Sequence, residues 1–369
     1  MKYVRMPIEI ESPEEMGYST IRYNLTESSF ADARVNDLGL GIDFEKLLLC
    51  YGDHRGKLEL RQLIAQEAGV QADDVLLTPG AAPALFIIAT TLLEKGDRLL
   101  VEHPNYATNI ETPRAIGAEI DFIRLRFATG FRPILSDILA AIRPETKYVS
   151  VTLPHNPTGT TLELGAFREL IAAVTAKAPY LLVDETYRGM GFDKELPVAA
   201  SLSDKCISVS SLSKTFGLPG IRMGWIICRD KKLMNTFLAA KEQMLICGSV
   251  VDEEIAYGLW RQRPQQLDRV RKAILSARGI LKDWYAKQSD FEWVEPEAGV
   301  VCFPRLKESS GADVEKFHRI LNEKYGTFVG PGHWFEMDRR HFRIGYAWTS
   351  EADLRIGLEN LNRAARDAR

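Results

Sequence analysis

Seven short strand-like runs, with helical segments between most of them, constrain this chain more than any other feature. They are Val75–Leu77, Arg98–Glu102, Glu119–Leu125, Tyr148–Leu153, Tyr180–Asp184, Cys206–Ser210 and Trp225–Cys228. A helix is expected over Lys57–Ala68, apolar at Leu58, Leu60, Leu63 and Ile64 and ended by Gly69. A second opens at Thr78-Pro79-Gly80-Ala81-Ala82-Pro83 and runs through Leu93, and further segments cover Leu135–Ile142 and Leu164–Thr175. Strands and helices alternating in this way predict an α/β fold with a mostly parallel sheet sandwiched by helices. In an open sheet of that kind the carboxyl ends of the strands share one edge, where ligands bind. Tyr106, Asn156, Asp184 with Tyr187, and Ser211 with Lys214 all lie at or just past such ends.

The rest of the chain is less regular. Met1–Asn36 reads as polar and irregular, with a turn-rich stretch at Asn24–Ser29. Asp230–Lys287 reads as helical, including a long helix from Leu267 onward. Phe291–Phe303 and Phe342–Ala347 read as strands of a smaller unit, closed by a helix over Glu351–Ala365. With 369 residues, 46% of them hydrophobic, the chain can form one large domain or two ordinary ones. A net charge of −3 without long like-charge runs points away from nucleic acid and from an anionic membrane surface. The longest nearly apolar run, Ala81–Leu93, is too short to span a bilayer, and Met1–Glu11 lacks the apolar core of a signal peptide. Cys50, Cys206, Cys228, Cys247 and Cys302 form no C-x-x-C pair, and the six histidines show no metal-ligand spacing. A cytoplasmic protein without a metal is therefore expected.

The chemistry gathers around Ser211–Trp225, S-L-S-K-T-F-G-L-P-G-I-R-M-G-W. Lys214 sits there among small and turn-forming residues, and Arg222 follows eight residues later. Hydroxyls and a guanidinium fork suit a phosphate dianion; taken alone, Lys214 also fits a solvated surface loop. Gly80, Ala81 and Ala82 open a helix with tiny side chains, leaving backbone N–H groups to face an anion, or simply starting the helix. Asp184 ends an apolar strand and is either a carboxylate with a cationic partner or a helix N-cap. Asn156 lies in N-P-x-G, itself a common turn, and Arg343 lies in a strand-like run where its fork could match a carboxylate or face solvent.

The pattern S-x-S-K-x-F-G-x-x-G-x-R-x-G, filled by Ser211 to Gly224, resembles the lysine motif of fold-type I pyridoxal phosphate (PLP) enzymes. Specifically, the chain resembles the class I/II aminotransferases of the aspartate aminotransferase superfamily, from about Tyr51 to Arg343. The resemblance implies a large PLP-binding domain over 46–280 with a seven-stranded-type sheet, and a smaller α+β domain made of 1–45 with 281–369. It implies that Lys214 holds PLP covalently and shuttles the proton, while Gly80, Ala81, Ala82, Ser211, Ser213 and Arg222 surround the phosphate. Tyr106 is expected to stack on the ring, Asn156 and Tyr187 to donate to its phenolic oxygen, and Asp184 to pair with its nitrogen. Arg343, with Asn156, is expected to bind the substrate carboxylate. Tyr51 resembles a tyrosine that reaches the phosphate of the neighbouring subunit, which implies a homodimer with shared active sites.

The implied reaction moves an amino group between an amino acid and a 2-oxo acid in a ping-pong cycle. β-Elimination, decarboxylation, and oxidation or cyclisation of an amino acid use the same residues and stay open. A non-enzymatic PLP-binding regulator is disfavoured, since only about fifty residues precede Tyr51 and they show no basic helix-turn-helix pattern. Thr26-Glu27-Ser28-Ser29 departs from the Gly-containing loop of many relatives. A Glu27 carboxylate lining the pocket favours a donor with a cationic side chain; the alternative is that Glu27 faces solvent or caps a helix.

Overall fold

A computed structural model describes residues 1–192 and 195–369. Its strands, in chain order, are β1 (Tyr23–Leu25), β2 (Val75–Thr78), β3 (Arg98–His103), β4 (Glu119–Arg124), β5 (Thr146–Thr152), β6 (Tyr180–Asp184) and β7 (Cys206–Ser211). They continue with β8 (Gly224–Cys228), β9 (Phe291–Glu292), β10 (Val301–Cys302), β11 (Arg305–Leu306), β12 (Thr327–Pro331) and β13 (Phe342–Gly345). The seven predicted runs become one seven-stranded sheet of order β2-β8-β7-β6-β5-β3-β4. Strands β7, β6, β5, β3 and β4 pair in parallel, and β8 is antiparallel to both of its neighbours.

Residues alternate between the two faces along each strand. Leu100 of β3 joins Val149, Val151, Phe167 and Ile171 on one face, whereas Leu99 and Val101 join Leu85, Ile88 and Phe237 on the other. Both faces are thus covered by helices, chiefly Leu164–Lys177 on the first and Ala81–Leu92 with Lys231–Met244 on the second. The predicted helix at the start of this region spans Leu58–Ala68, and Gly69 caps it in the left-handed conformation.

The smaller sheet has the order β1-β12-β13-β10 and backs onto helices Arg263–Tyr285, Val314–Glu323 and Glu351–Asp367 through Leu25, Ile280, Val301, Phe317, Ile344 and Leu358. Three expectations need correction here. The N-terminal segment is not irregular: it holds helical turns at Pro7–Ile10 and Pro13–Met16, and Tyr23–Leu25 pairs in parallel with Thr327–Val329. Phe291–Phe303 is not one strand; only Phe291–Glu292 and Val301–Cys302 are strand, with an irregular connection between them. The long helix begins at Arg263 rather than Leu267, because Pro264 suits its first turn, where no backbone N–H is needed. Among the described residues no helix is long and apolar enough to cross a membrane, and no group of three or more His, Cys, Asp or Glu could hold a metal ion.

Candidate active site

The carboxyl ends of β3, β5, β6 and β7 open onto one cavity of about 260 Å³. Its walls include Lys214, Asp184, Tyr187, Tyr106, Asn156, Ser211, Ser213, Ala81, Ala82, Arg222, Arg343 and Glu27. The sheet's one antiparallel strand serves this convergence. Because β8 runs backwards, its first residues lie at the same edge as the ends of its neighbours, and Arg222 sits just before them.

Lys214 lies in a helical turn, Leu212–Thr215, directly after β7. The N-terminal segment braces this turn: the Phe30 N–H donates to the Lys214 carbonyl at 2.9 Å, and a side chain on Gly217 would strike the Ala31 carbonyl. Burial, then the Arg343 charge, hold the Lys214 amine below the ordinary lysine value, against the pull of Glu27. A lysine so placed carries more of the neutral amine needed for nucleophilic and base chemistry.

Arg222 adopts a left-handed conformation, φ 42°. That costs a non-glycine residue on the order of 1 kcal/mol. Its guanidinium donates to the Pro219 carbonyl at 2.8 Å and to Ser213 Oγ at 3.4 Å. Gly80 stands directly behind it: a Cβ there would collide with Arg222 Nη2, and one on Gly224 would meet the Gly80 backbone. Gly80 therefore makes room for the guanidinium. Its own N–H is taken by the Thr78 carbonyl at 2.8 Å, which corrects the expectation that this N–H faces an anion. The helix it precedes begins at Ala81 without a side-chain cap, so the N–H groups at that start have no capping partner.

Asp184 and Glu185 are consecutive, and the strand period sends them apart. Asp184 lines the cavity, and its Oδ1 accepts from the Thr186 N–H at 3.1 Å and the Thr186 hydroxyl at 2.6 Å. Burial raises its pKa against the hydrogen bonds of Thr186 and Asn109, so a cation facing it is needed to keep it ionised. Glu185 instead accepts from the Ala199 N–H at 2.7 Å and Ser208 Oγ at 3.0 Å, away from the cavity.

Arg343, on β13, is 4% exposed. It donates from Nη1 to Asn156 Oδ1 at 3.1 Å and from Nη2 to the Thr26 carbonyl at 2.8 Å. Its Nε has no hydrogen-bond partner among the described residues. A buried guanidinium with a donor to spare suits an incoming carboxylate. The Tyr187 hydroxyl donates to the Ser28 carbonyl at 2.8 Å, so in this geometry it is engaged by the N-terminal segment.

Glu27 does not face open solvent. It lines the cavity, and its Oε1 accepts from Tyr18 and Asn24, each at 3.3 Å. Burial, reinforced by Glu14, raises its pKa, while Lys214 and Arg343 draw it down. Gly345 allows this placement, since any side chain there would strike the Glu27 carbonyl. Two predicted residues are absent from the cavity wall: Gly80, which stands behind Arg222, and Tyr51, which is 80% exposed.

Sequence reasoning missed Glu9, Ser12, Glu14 and Trp334, which also line the cavity. A signal was present for the first three. Pro7 and Pro13 open short helical turns with acidic residues in the first turn, and Ser12 caps the second by accepting from the Glu15 N–H.

A fold-type I sheet with a lysine, an aspartate, an arginine and a small-residue helix start at one edge defines a class of cofactor-dependent enzyme. Comparison with known proteins makes it specific: residues 43–361 match the family described as aminotransferase class I and II, and the chain belongs to that family. It is 28% identical over 331 residues to the arginine–pyruvate transaminase of Pseudomonas aeruginosa, covering 86% of this chain and 80% of the relative. A PLP-dependent aminotransferase structure from Streptococcus suis superposes with a TM-score of 0.91 at 27% identity, covering 100% of this chain and 99% of the other. A structure described as a PLP-dependent cyclase superposes with a TM-score of 0.89 at 26% identity, covering 100% and 98%. The protein is a PLP-dependent aminotransferase, acting between an amino acid and a 2-oxo acid. The residues present fit that cofactor: the glycine cradle behind Arg222 suits its phosphate, and the buried Asp184 carboxyl suits its cationic ring nitrogen.

Proposed function

We propose that this aminotransferase takes a donor with a cationic side chain, arginine or another basic amino acid, and passes its amino group to a small 2-oxo acid. The observation that carries the reading is the Glu27 carboxylate in the cavity wall, with Glu9 and Glu14 on the same wall. A carboxylate in a partly desolvated pocket attracts a guanidinium or ammonium and repels aspartate and glutamate. The likeness to a relative named for arginine and pyruvate supports it.

In this reading PLP, when bound, supplies the electron sink for the charge developed at the donor's α-carbon. Lys214 Nζ would hold the cofactor covalently and, as a free amine, would take the α-proton and return it. Arg222, Ser211, Ser213 and the Ala81–Ala82 helix start hold the phosphate, with Gly80 giving Arg222 its space. Tyr106 would cover the ring, Asn156 would face the phenolic oxygen, with Tyr187 joining it on releasing the Ser28 carbonyl, and Asp184 would face the ring nitrogen. Arg343 fixes the substrate carboxylate through its fork. Tyr51 completes the phosphate site of a second subunit, so the working unit is a homodimer built from the 46–280 domain and the domain of 1–45 with 281–369. Five free cysteines suit a reducing cytoplasm.

Mixing holoenzyme with each common amino acid, and following the absorbance change to the aminated cofactor, tests the donor. Arginine, lysine and ornithine are expected to react fastest, with pyruvate returning the cofactor to its starting form. Glu27→Gln is expected to lose about tenfold toward basic donors and little toward neutral ones. Preference for aspartate or glutamate overturns the reading. The likeness to a cyclase favours one second reading, cyclisation of a basic amino acid on the same residues. Mass analysis separates them: transamination yields a 2-oxo acid, cyclisation a ring that retains the α-nitrogen.

A further inference from the structure

The cavity's outer wall is a strap. Ile8, Glu9, Ser12, Pro13 and Glu14 reach it from the N-terminal segment, where Pro7–Ile10 and Pro13–Met16 are single helical turns. Turns this short have no stability of their own and stay in place only through tertiary contacts. On the apolar side the contact is Ile8, which shares a core cluster with Trp334 and Phe335. On the polar side it is Glu11. The Trp334 indole N–H donates to Glu11 Oε2 at 2.7 Å, and His333 Nε2 lies 3.0 and 2.9 Å from the two Glu11 oxygens. Both partners belong to the turn Gly332–Phe335 that follows β12, and Trp334 itself lines the cavity. Glu11 stands between Glu9 and Glu14 but is not part of the cavity wall.

We propose that Glu11 is a positioning residue for substrate recognition: its grip on His333 and Trp334 holds the strap 7–16 closed over the donor's side chain. The proposal rests on the reading that this cavity receives that side chain. Closing the strap presents Glu9 and Glu14 to the side chain's far end and fixes the Trp334 ring in the wall. Glu11 touches no reacting atom, so its loss weakens binding of donors long enough to reach the strap and leaves the chemical step in place. A donor as small as alanine does not reach the strap.

The test compares wild-type holoenzyme with Glu11→Ala, Glu11→Gln and His333→Phe, by amide hydrogen exchange of the segment 1–22 and by steady-state kinetics. Glu11→Ala is expected to speed exchange in the strap roughly tenfold and to raise KM for arginine roughly tenfold, with kcat within about twofold and alanine kinetics unchanged. Glu11→Gln keeps an acceptor for Trp334 and a polar partner for His333, and is expected to restore most of the difference. His333→Phe should act in the same direction as Glu11→Ala, and the double variant should be less impaired than the sum of the two. Unchanged strap exchange in Glu11→Ala overturns the latch, and faster exchange with unchanged KM overturns its role in recognition. Exchange is read without substrate, so failure of the basic-donor reading shows separately, as a donor panel that prefers acidic amino acids.

Discussion

Glu102 shows how far burial alone moves a single group. It sits on β3, and its Oε2 accepts from the Thr152 N–H at 2.7 Å, while Oε1 has no partner among the described residues. Burial pushes its pKa up to about 8, only partly opposed by that hydrogen bond. The folded chain thus keeps a proton between pH 4.5 and about 8 that the unfolded chain has shed. The stabilisation is full below the lower value and is lost as pH rises through the upper one, at up to about 1.4 kcal/mol per pH unit. Buried histidines such as His155, pushed down to about 4, act with the opposite sign at lower pH, so the comparison is drawn between variants. Glu102→Gln keeps the acceptor for Thr152 and removes the proton. Urea midpoints measured from pH 5 to 8 are expected to fall with pH more steeply in the wild type than in the variant. Parallel curves would mean that Glu102 is ionised throughout. The same logic separates Asp184 from Glu185: Glu185 already has the Arg188 guanidinium 3.9 Å away, whereas Asp184 faces the cavity, where a bound cation can meet it.

At the scale of elements, the seven central strands were legible because six are short, mostly apolar runs and the edge strand β4 alternates charged with apolar residues over Glu119–Phe122, and the site was legible because polar residues stand at their ends. The direction of β8 was not: an apolar pentapeptide, Gly224–Cys228, reads the same either way, and only its pairing with β7 and β2 sets it. Tyr23–Leu25 was missed for a related reason. Three residues carry no period, and their partners Thr327–Val329 lie some three hundred positions away. That short strand matters, since the chain running on from it delivers Glu27 to the cavity while β13, in the same sheet, delivers Arg343. The approach of β8 to the start of the Ala81–Leu92 helix depends on Gly224, whose Cβ would meet the Gly80 backbone, and Gly80, φ 100°, in turn leaves room for the Arg222 guanidinium. Gly80→Ala is expected to displace the guanidinium and to weaken PLP binding by at least about tenfold. Gly96→Ala is the control: φ there is 89°, but nothing lies within 4 Å of the added Cβ. It should lose about 1 kcal/mol of stability from backbone strain and keep its PLP affinity. Equal PLP affinities in the two variants would show that the space behind Arg222 is not what the phosphate site needs.

For the whole molecule, Tyr51, which lies outside the cavity, is as informative as the residues within it. Tyr51 is 80% exposed, and Leu48 and Leu49 beside it are 73% and 75% exposed. Three large, mostly apolar side chains bared within four positions make a poor water-facing surface and a good contact for a second copy of the chain. Pairing there would cover this surface and bring Tyr51 to the partner's phosphate site. Each active site would then take Lys214 from one subunit and Tyr51 from the other, and this arrangement has a consequence that a self-contained site lacks. On the proposed roles, Lys214→Ala subunits are expected to be inactive and Tyr51→Phe subunits impaired. In a hybrid dimer one site carries both defects and the other carries neither. Unfolding and refolding the two variants together is expected to yield activity well above the sum of the parents refolded apart, with a maximum near equal amounts. Activity equal to that sum, in a sample that sedimentation shows to contain mixed dimers, would place Tyr51 and Lys214 in the same subunit's site. An active species that sediments as a monomer would remove the need for a partner altogether.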